Sequence, residues 1–182
     1  VFLAVLALAT YWQVRSHEWI YFDDQLYVTD NRHVKQGLTP ASIRWAFTNT
    51  ETGHWHPLTW LSHMLDYELY RLNPAGHYGT NLIIHLLNVF ILLIVLNKMT
   101  GRFWPSYLVA ALFALHPLNV ESVAWVAERK NVLSTTFWLM TMLCYWGYVR
   151  YSGGTRYLML IAVFALGLMT KPMLVTLPFV LV

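Results

Sequence analysis

Apolar residues along this chain come in long blocks separated by short polar connections, with one wide exception. Residues 1–12, 79–97, 103–118, 131–149, 157–170 and 172–182 form six such blocks. Crossing the hydrocarbon of a bilayer takes about 20 mostly apolar residues in a helix. The second and fourth blocks come close to that length, the third and fifth are somewhat short, and the first and last look cut within a helix. The pattern predicts an all-α integral membrane protein with five or six membrane-crossing helices. Residue 1 is Val, inside an apolar run with no small-residue cleavage site after it. A truncated transmembrane helix is therefore expected there rather than a signal peptide, and the chain reads as a fragment of something longer. Lys171 alone interrupts the stretch 157–182. Pro172 has no amide hydrogen and disfavours a helical residue before it, and a charge at bilayer centre is costly. Placing Lys171 at a membrane surface avoids both penalties.

The wide exception is residues 13–78, far longer than an ordinary connection. Thr39 and Pro40 suit the cap and first turn of a helix over 41–48. Leu58, Leu61, Leu65, Leu69 and Leu72 recur at three- and four-residue spacing and predict a second helix over 57–72. With Trp60 and Met64 added, that helix suits lying along a membrane surface. Asn73, Pro74, Ala75 and Gly76 form a turn that ends it.

Composition agrees with a chain facing lipid. Hydrophobic residues make up 57% and charged residues 12%, against about 25% charged in soluble domains. Mean hydropathy is +0.44. The single cysteine, Cys144, excludes a disulfide framework. A net charge of +3, with no basic run longer than Arg129–Lys130, argues against nucleic acid as a partner. Charge also orients the chain. Lys98, Arg102, Arg150 and Arg156 occupy short connections without any acid, which predicts a cytoplasmic position. All nine acids, Glu18, Asp23, Asp24, Asp30, Glu51, Asp66, Glu68, Glu121 and Glu128, then share the other face with loop 13–78 and connection 119–130.

Several residues of that face suit chemistry. Adjacent carboxylates such as Asp23 and Asp24 repel, which raises one pKa toward the range of a base, although a solvated acidic turn fits the same spacing. Arg129 and Lys130 suit a phosphate group, as a fork and a point charge. Glu121, Glu128 and Arg129 also suit pairing with one another. Lys171 is either a functional cation or one that snorkels to the headgroups. Asn81, His85 and Asn88 share one helix face, where interhelical hydrogen bonding accounts for them. His54, His56, His63 and Asp66 show no zinc-binding spacing, and no metal is expected.

Together these stretches resemble a known family. They are Asp23-Asp24 with Tyr27–Asn31, Gly53–Asp66, Asn73–His77, Asn81 through His85 to Asn88, Ala114–Lys130, and Lys171–Pro178. In order and spacing they resemble the transmembrane and tetratricopeptide-repeat family of protein O-mannosyltransferase-like enzymes, particularly its bacterial members, within the GT-C glycosyltransferases. The resemblance implies a GT-C-like transmembrane bundle in a bacterial inner membrane, with its active face periplasmic and a large external first loop carrying short surface helices. It implies a polyprenyl-phosphate sugar as donor and a hydroxyl of a protein or glycan as acceptor, with no cofactor required. Asp23 or Asp24 would be the base and the other would orient the acceptor. Arg129, Lys130 and Lys171 would hold the donor phosphate, and His116, Glu121, Glu128, His56 and His85 would shape the pocket. The family's repeats and later membrane helices have no counterpart in these 182 residues. A non-catalytic subunit that reuses the scaffold, bound to lipid or to other membrane subunits, is the competing expectation.

Overall fold

The computed structural model describes residues 2–50 and 53–181, so Val1, Glu51 and Val182 from the readings above lie outside the described residues. Every regular element among the described residues is helical. Helices α1 (Phe2–Tyr11), α5 (Pro74–Thr100), α6 (Phe103–Leu115), α8 (Arg129–Arg150) and α9 (Gly154–Leu168) make up a bundle. Helices α2 (Arg32–Lys35), α3 (Pro40–Thr48), α4 (Pro57–Tyr70) and α7 (Asn119–Ala124) gather at one end of it. A 3-10 turn at Pro172–Thr176 and a short α10 (Pro178–Leu181) complete the chain.

Local sequence accounts for the boundaries. Asn73 caps α5 by accepting the Ala75 N–H at 3.2 Å, and Pro74 occupies the first turn, where no amide hydrogen is needed. Gly101, at φ 68°, ends α5 in the left-handed conformation that glycine adopts freely. Helix α5 thus begins five residues before the apolar block that predicted it. It is the one helix among the described residues long and apolar enough to cross a membrane, with a mean hydropathy of 2.3 in its most apolar window. Helices α6 and α9 are apolar over 13 and 15 residues.

Small and polar side chains join the bundle. Ala7, Val89, Ala110 and Ala114 pack α1, α5 and α6 closely. His85 donates from Nε2 to the Ala114 carbonyl at 3.1 Å. Asn88 donates to the Val132 carbonyl at 2.8 Å and accepts from Thr136 at 2.7 Å. Asn81 donates to the Trp125 carbonyl at 2.9 Å, so the face 81, 85, 88 spends its polar atoms on α6, α8 and the segment between them.

The loop helices are held by a second core around Trp60, Met64, Tyr27, Val28 and Val34. Helix α4 is further docked on the turn after α9. The Leu58 N–H donates to the Met169 carbonyl at 3.1 Å, and Thr59 Oγ1 donates to the Thr170 carbonyl at 3.1 Å. That docking brings the start of α4 and residue 171 to the same place.

Candidate functional site

Three segments converge where the loop helices meet the bundle. Two adjoining cavities share Lys171 and Met173. One, of about 330 Å³, is lined by His54, His56, Lys130, Thr170, Lys171, Pro172 and Met173. The other, of about 360 Å³, is lined by Ser122, Asn131, Ser134, Thr135, Trp138, Lys171, Met173 and Leu174. Lys171 is extended at φ −158°, so the chain turns there instead of continuing α9.

A chain of polar contacts runs along this cleft. Lys171 Nζ donates to Asn131 Oδ1, and Asn131 Nδ2 donates to Glu128 Oε2. Glu128 Oε1 pairs with Lys130 Nζ at 2.8 Å. The Lys130 ammonium lies 4.9 Å from the centre of the Tyr27 ring. Two cations thus stand on one cleft with a single carboxylate between them. Tyr27 stacks on Trp60 at 4.9 Å and on His56 at 5.7 Å, which fixes the wall behind Lys130. Burial pushes the Tyr27 phenol up, opposed by Lys130 and reinforced by Asp23 and Glu128, so all three charges bear on this one hydroxyl.

The two aspartates have different environments. Asp24 is fully buried. Its Oδ2 accepts the Ile20 N–H and its Oδ1 the Ala127 N–H, each at 3.0 Å. Burial raises its pKa, the two amide donors pull against that, and the charge of Asp23 adds to the rise. Asp23 is only half-buried. Its main-chain carbonyl accepts the Tyr27 N–H at 3.0 Å, while its carboxylate has no hydrogen-bond partner among the described residues. The Asp24 carboxylate is spent on two backbone amides, whereas the Asp23 carboxylate is uncommitted among the described residues.

Arg129 departs from the expectation that it holds a donor phosphate. It is fully buried, because its helix position faces inward where Lys130, about 100° further round, faces the cleft. Its Nη2 donates to Asp66 Oδ2 at 2.6 Å and to the His77 carbonyl at 2.9 Å, and its Nε donates to Asn81 Oδ1. Asp66 also accepts from Thr80 at 2.9 Å. Arg129 therefore staples α4 and α5 to the head of α8 and sets the position of Lys130 and Asn131. The structure also leaves three expected pocket residues outside the cleft. His85 is occupied between α5 and α6, while His116 and Glu121 are exposed on the turn around α7. Glu128 and His56 do reach the site. Burial, with a smaller contribution from the Lys130 cation, holds His56 down at a pKa of about 4. His63 is also held well below the usual imidazole range by full burial.

Sequence reasoning assigned no role to Tyr27, Asn131 or the partnership of Asp66 with Arg129. The one available signal was an acid placed within a leucine-rich helix, since a buried carboxylate needs a cation.

The chain has distant relatives among characterised proteins. Human protein O-mannosyl-transferase TMTC1 is 30% identical over 135 residues, which are 68% of this chain and 15% of that protein. Mouse protein O-mannosyl-transferase TMTC2 is 26% identical over 153 residues, 78% of this chain and 18% of that protein. Human protein O-mannosyl-transferase TMTC3 is 30% identical over 147 residues, 75% of this chain and 16% of that protein. The chain thus spans less than a fifth of the length of these curated relatives. No family model matches it, and no solved structure does. These partial relatives support a TMTC-like family and, at the level of that family, a glycosyltransferase-type enzyme.

Proposed function

We propose that this chain is the amino-terminal part of a membrane glycosyltransferase of GT-C type. It transfers a sugar, mannose-like by the names of its relatives, from a polyprenyl-phosphate donor to a protein or glycan hydroxyl. Helices α1, α5, α6, α8, α9 and the segment from Pro172 cross the membrane in this reading, and the cleft opens on its periplasmic side in a bacterial inner membrane. The exposed apolar surface of α6 and α9, including Leu108, Leu112, Leu158 and Met159, supports it.

One observation carries the chemistry: Lys130 and Lys171 line one cavity, and the Lys130 ammonium faces the ring of Tyr27, whose N–H is bonded to the carbonyl of Asp23, a residue with an uncommitted carboxylate. The acceptor oxygen attacks the anomeric carbon while the bond from that carbon to the phosphate oxygen breaks. Asp23 takes the acceptor's proton. The phosphate leaves as an anion and needs no general acid. Lys130 and Lys171 stabilise the charge it gains. Glu128 and Asn131 hold both ammonium groups in place, and attack opposite the leaving group inverts the anomeric centre.

The test is sugar transfer by the full-length parent protein in nanodiscs, given a panel of radiolabelled polyprenyl-phosphate sugars and envelope protein as acceptor. Transfer that Asp23→Asn abolishes supports the reading. A folded protein that transfers from no donor turns it toward a non-catalytic scaffold.

A further inference from the structure

The opposite end of the bundle carries a second charged surface. Lys98, near the end of α5, lies with Nζ 4.9 Å from the centre of the Trp146 ring on α8. The Arg150 guanidinium carbon lies 5.7 Å from the same ring. Two cations therefore converge on one indole. The pair makes this end of the bundle positive, and an anion is its electrostatic complement. No Asp or Glu occurs between residues 69 and 120, or after residue 128. Neither Lys98 nor Arg150 has an ion pair or an acceptor among the described residues. Beside them a groove of about 410 Å³ runs between the two helices, lined by Met99, Tyr145, Trp146, Val149 and Arg150.

We propose that this groove binds an anionic phospholipid of the surrounding membrane. The inference rests on the reading that α5 and α8 cross a bilayer. The phosphodiester accepts from Arg150 as a fork and from Lys98 as a point charge. One acyl chain lies along Met99 and Val149. Trp146 holds both cations by its ring face and leaves their N–H groups directed at the headgroup. The apolar wall beside the cations selects a lipid over a free phosphate, because a soluble anion gains nothing from it.

The test places the chain in nanodiscs of phosphatidylcholine with a minor fraction of phosphatidylglycerol, and lipid retained on gentle extraction is read by native mass spectrometry. A basic residue near an anionic surface contributes about a fivefold preference, so Lys98→Gln with Arg150→Gln is expected to lose about 25-fold. Both side chains are exposed, and helix content by circular dichroism is expected to stay unchanged. Trp146→Leu keeps both charges but releases them from one another, and is expected to lose part of the preference. Vesicle flotation separates the two levels of the inference. A chain that fails to insert overturns the membrane reading and the lipid site with it. A chain that inserts and retains both lipids in their bulk ratio overturns the lipid site alone.

Discussion

Oδ1 of Asp24 accepts the main-chain N–H of Ala127 at 3.0 Å, joining two residues 103 apart in the chain. This contact fixes the first loop against the turn that leads into α8. Asparagine offers one side-chain acceptor oxygen where the carboxylate offers two, so Asp24→Asn leaves either Ile20 or Ala127 with an unpaired amide. The expected cost is about 1–3 kcal/mol, read as a lower unfolding midpoint. Asp23→Asn is expected to leave the midpoint unchanged and to lower transfer by about 10²–10⁴-fold, the usual contribution of a general base. Equal midpoints for the two variants would remove the distinction between anchor and base.

The buried pair Asp66–Arg129 sets up a second expectation. Arg129→Met strands a buried carboxylate and is expected to cost about 3–5 kcal/mol. Adding Asp66→Leu removes the stranded charge and is expected to restore most of the loss. Denaturant unfolding of the single and double variants measures this, and a double variant no better than the single would show that the arginine acts through its other contacts.

Acidification is expected to weaken the fold between about pH 6.5 and pH 4. His56 titrates near 6.5 in the unfolded chain and at about 4 when folded. As pH falls through that window the unfolded state takes the proton first, so the stability present above it is lost and then levels off. His63 acts in the same direction. Asp24, whose pKa is raised, acts in the opposite one, because the folded state binds its proton first. The His56 share is therefore the difference between the wild type and His56→Gln in midpoint against pH. His56→Gln is expected to have the shallower acid limb.

Gly167 sits where α9 meets the segment that follows it. A Cβ there would overlap the Leu174 side chain and lie 3.0 Å from the Phe137 Cβ. Gly167→Ala is expected to displace the turn that presents Lys171, at a cost of about 1–3 kcal/mol typical of overpacking. Donor affinity is expected to fall with it, while Lys171→Gln is expected to weaken donor binding without the stability loss. Titration with a labelled polyprenyl-phosphate sugar compares the two.

The all-helical character was legible because long apolar blocks and leucine periodicity persist whatever packs on them. Helix ends were less so, since Asn73 and Gly101 lie outside the apolar block of α5, and the cap rather than hydropathy sets the boundary. Asp23 and Asp24 stood out as adjacent carboxylates, Lys130 as half of a basic pair and Lys171 as an isolated cation in an apolar run, while Glu128 and His56 entered the pocket through the family resemblance. Their division of labour did not stand out. Whether a carboxylate is spent on backbone amides, as in Asp24, depends on a contact from residue 127 that no local pattern encodes. The inward direction of Arg129 likewise depends on Asp66 arriving from another helix.

Thr59 bonds to the Thr170 carbonyl across 111 residues, and this spacing has a consequence for synthesis. A ribosome adds roughly 5–20 residues each second, so the start of α4 waits about 5–20 s for its partner to emerge. During that interval the carboxylate at residue 23 already exists, while the cation at residue 171 does not. A nascent chain halted before residue 170 would carry a loop with only part of the cleft's lining. The cleft is thus completed only when the residues from 170 onward join the loop.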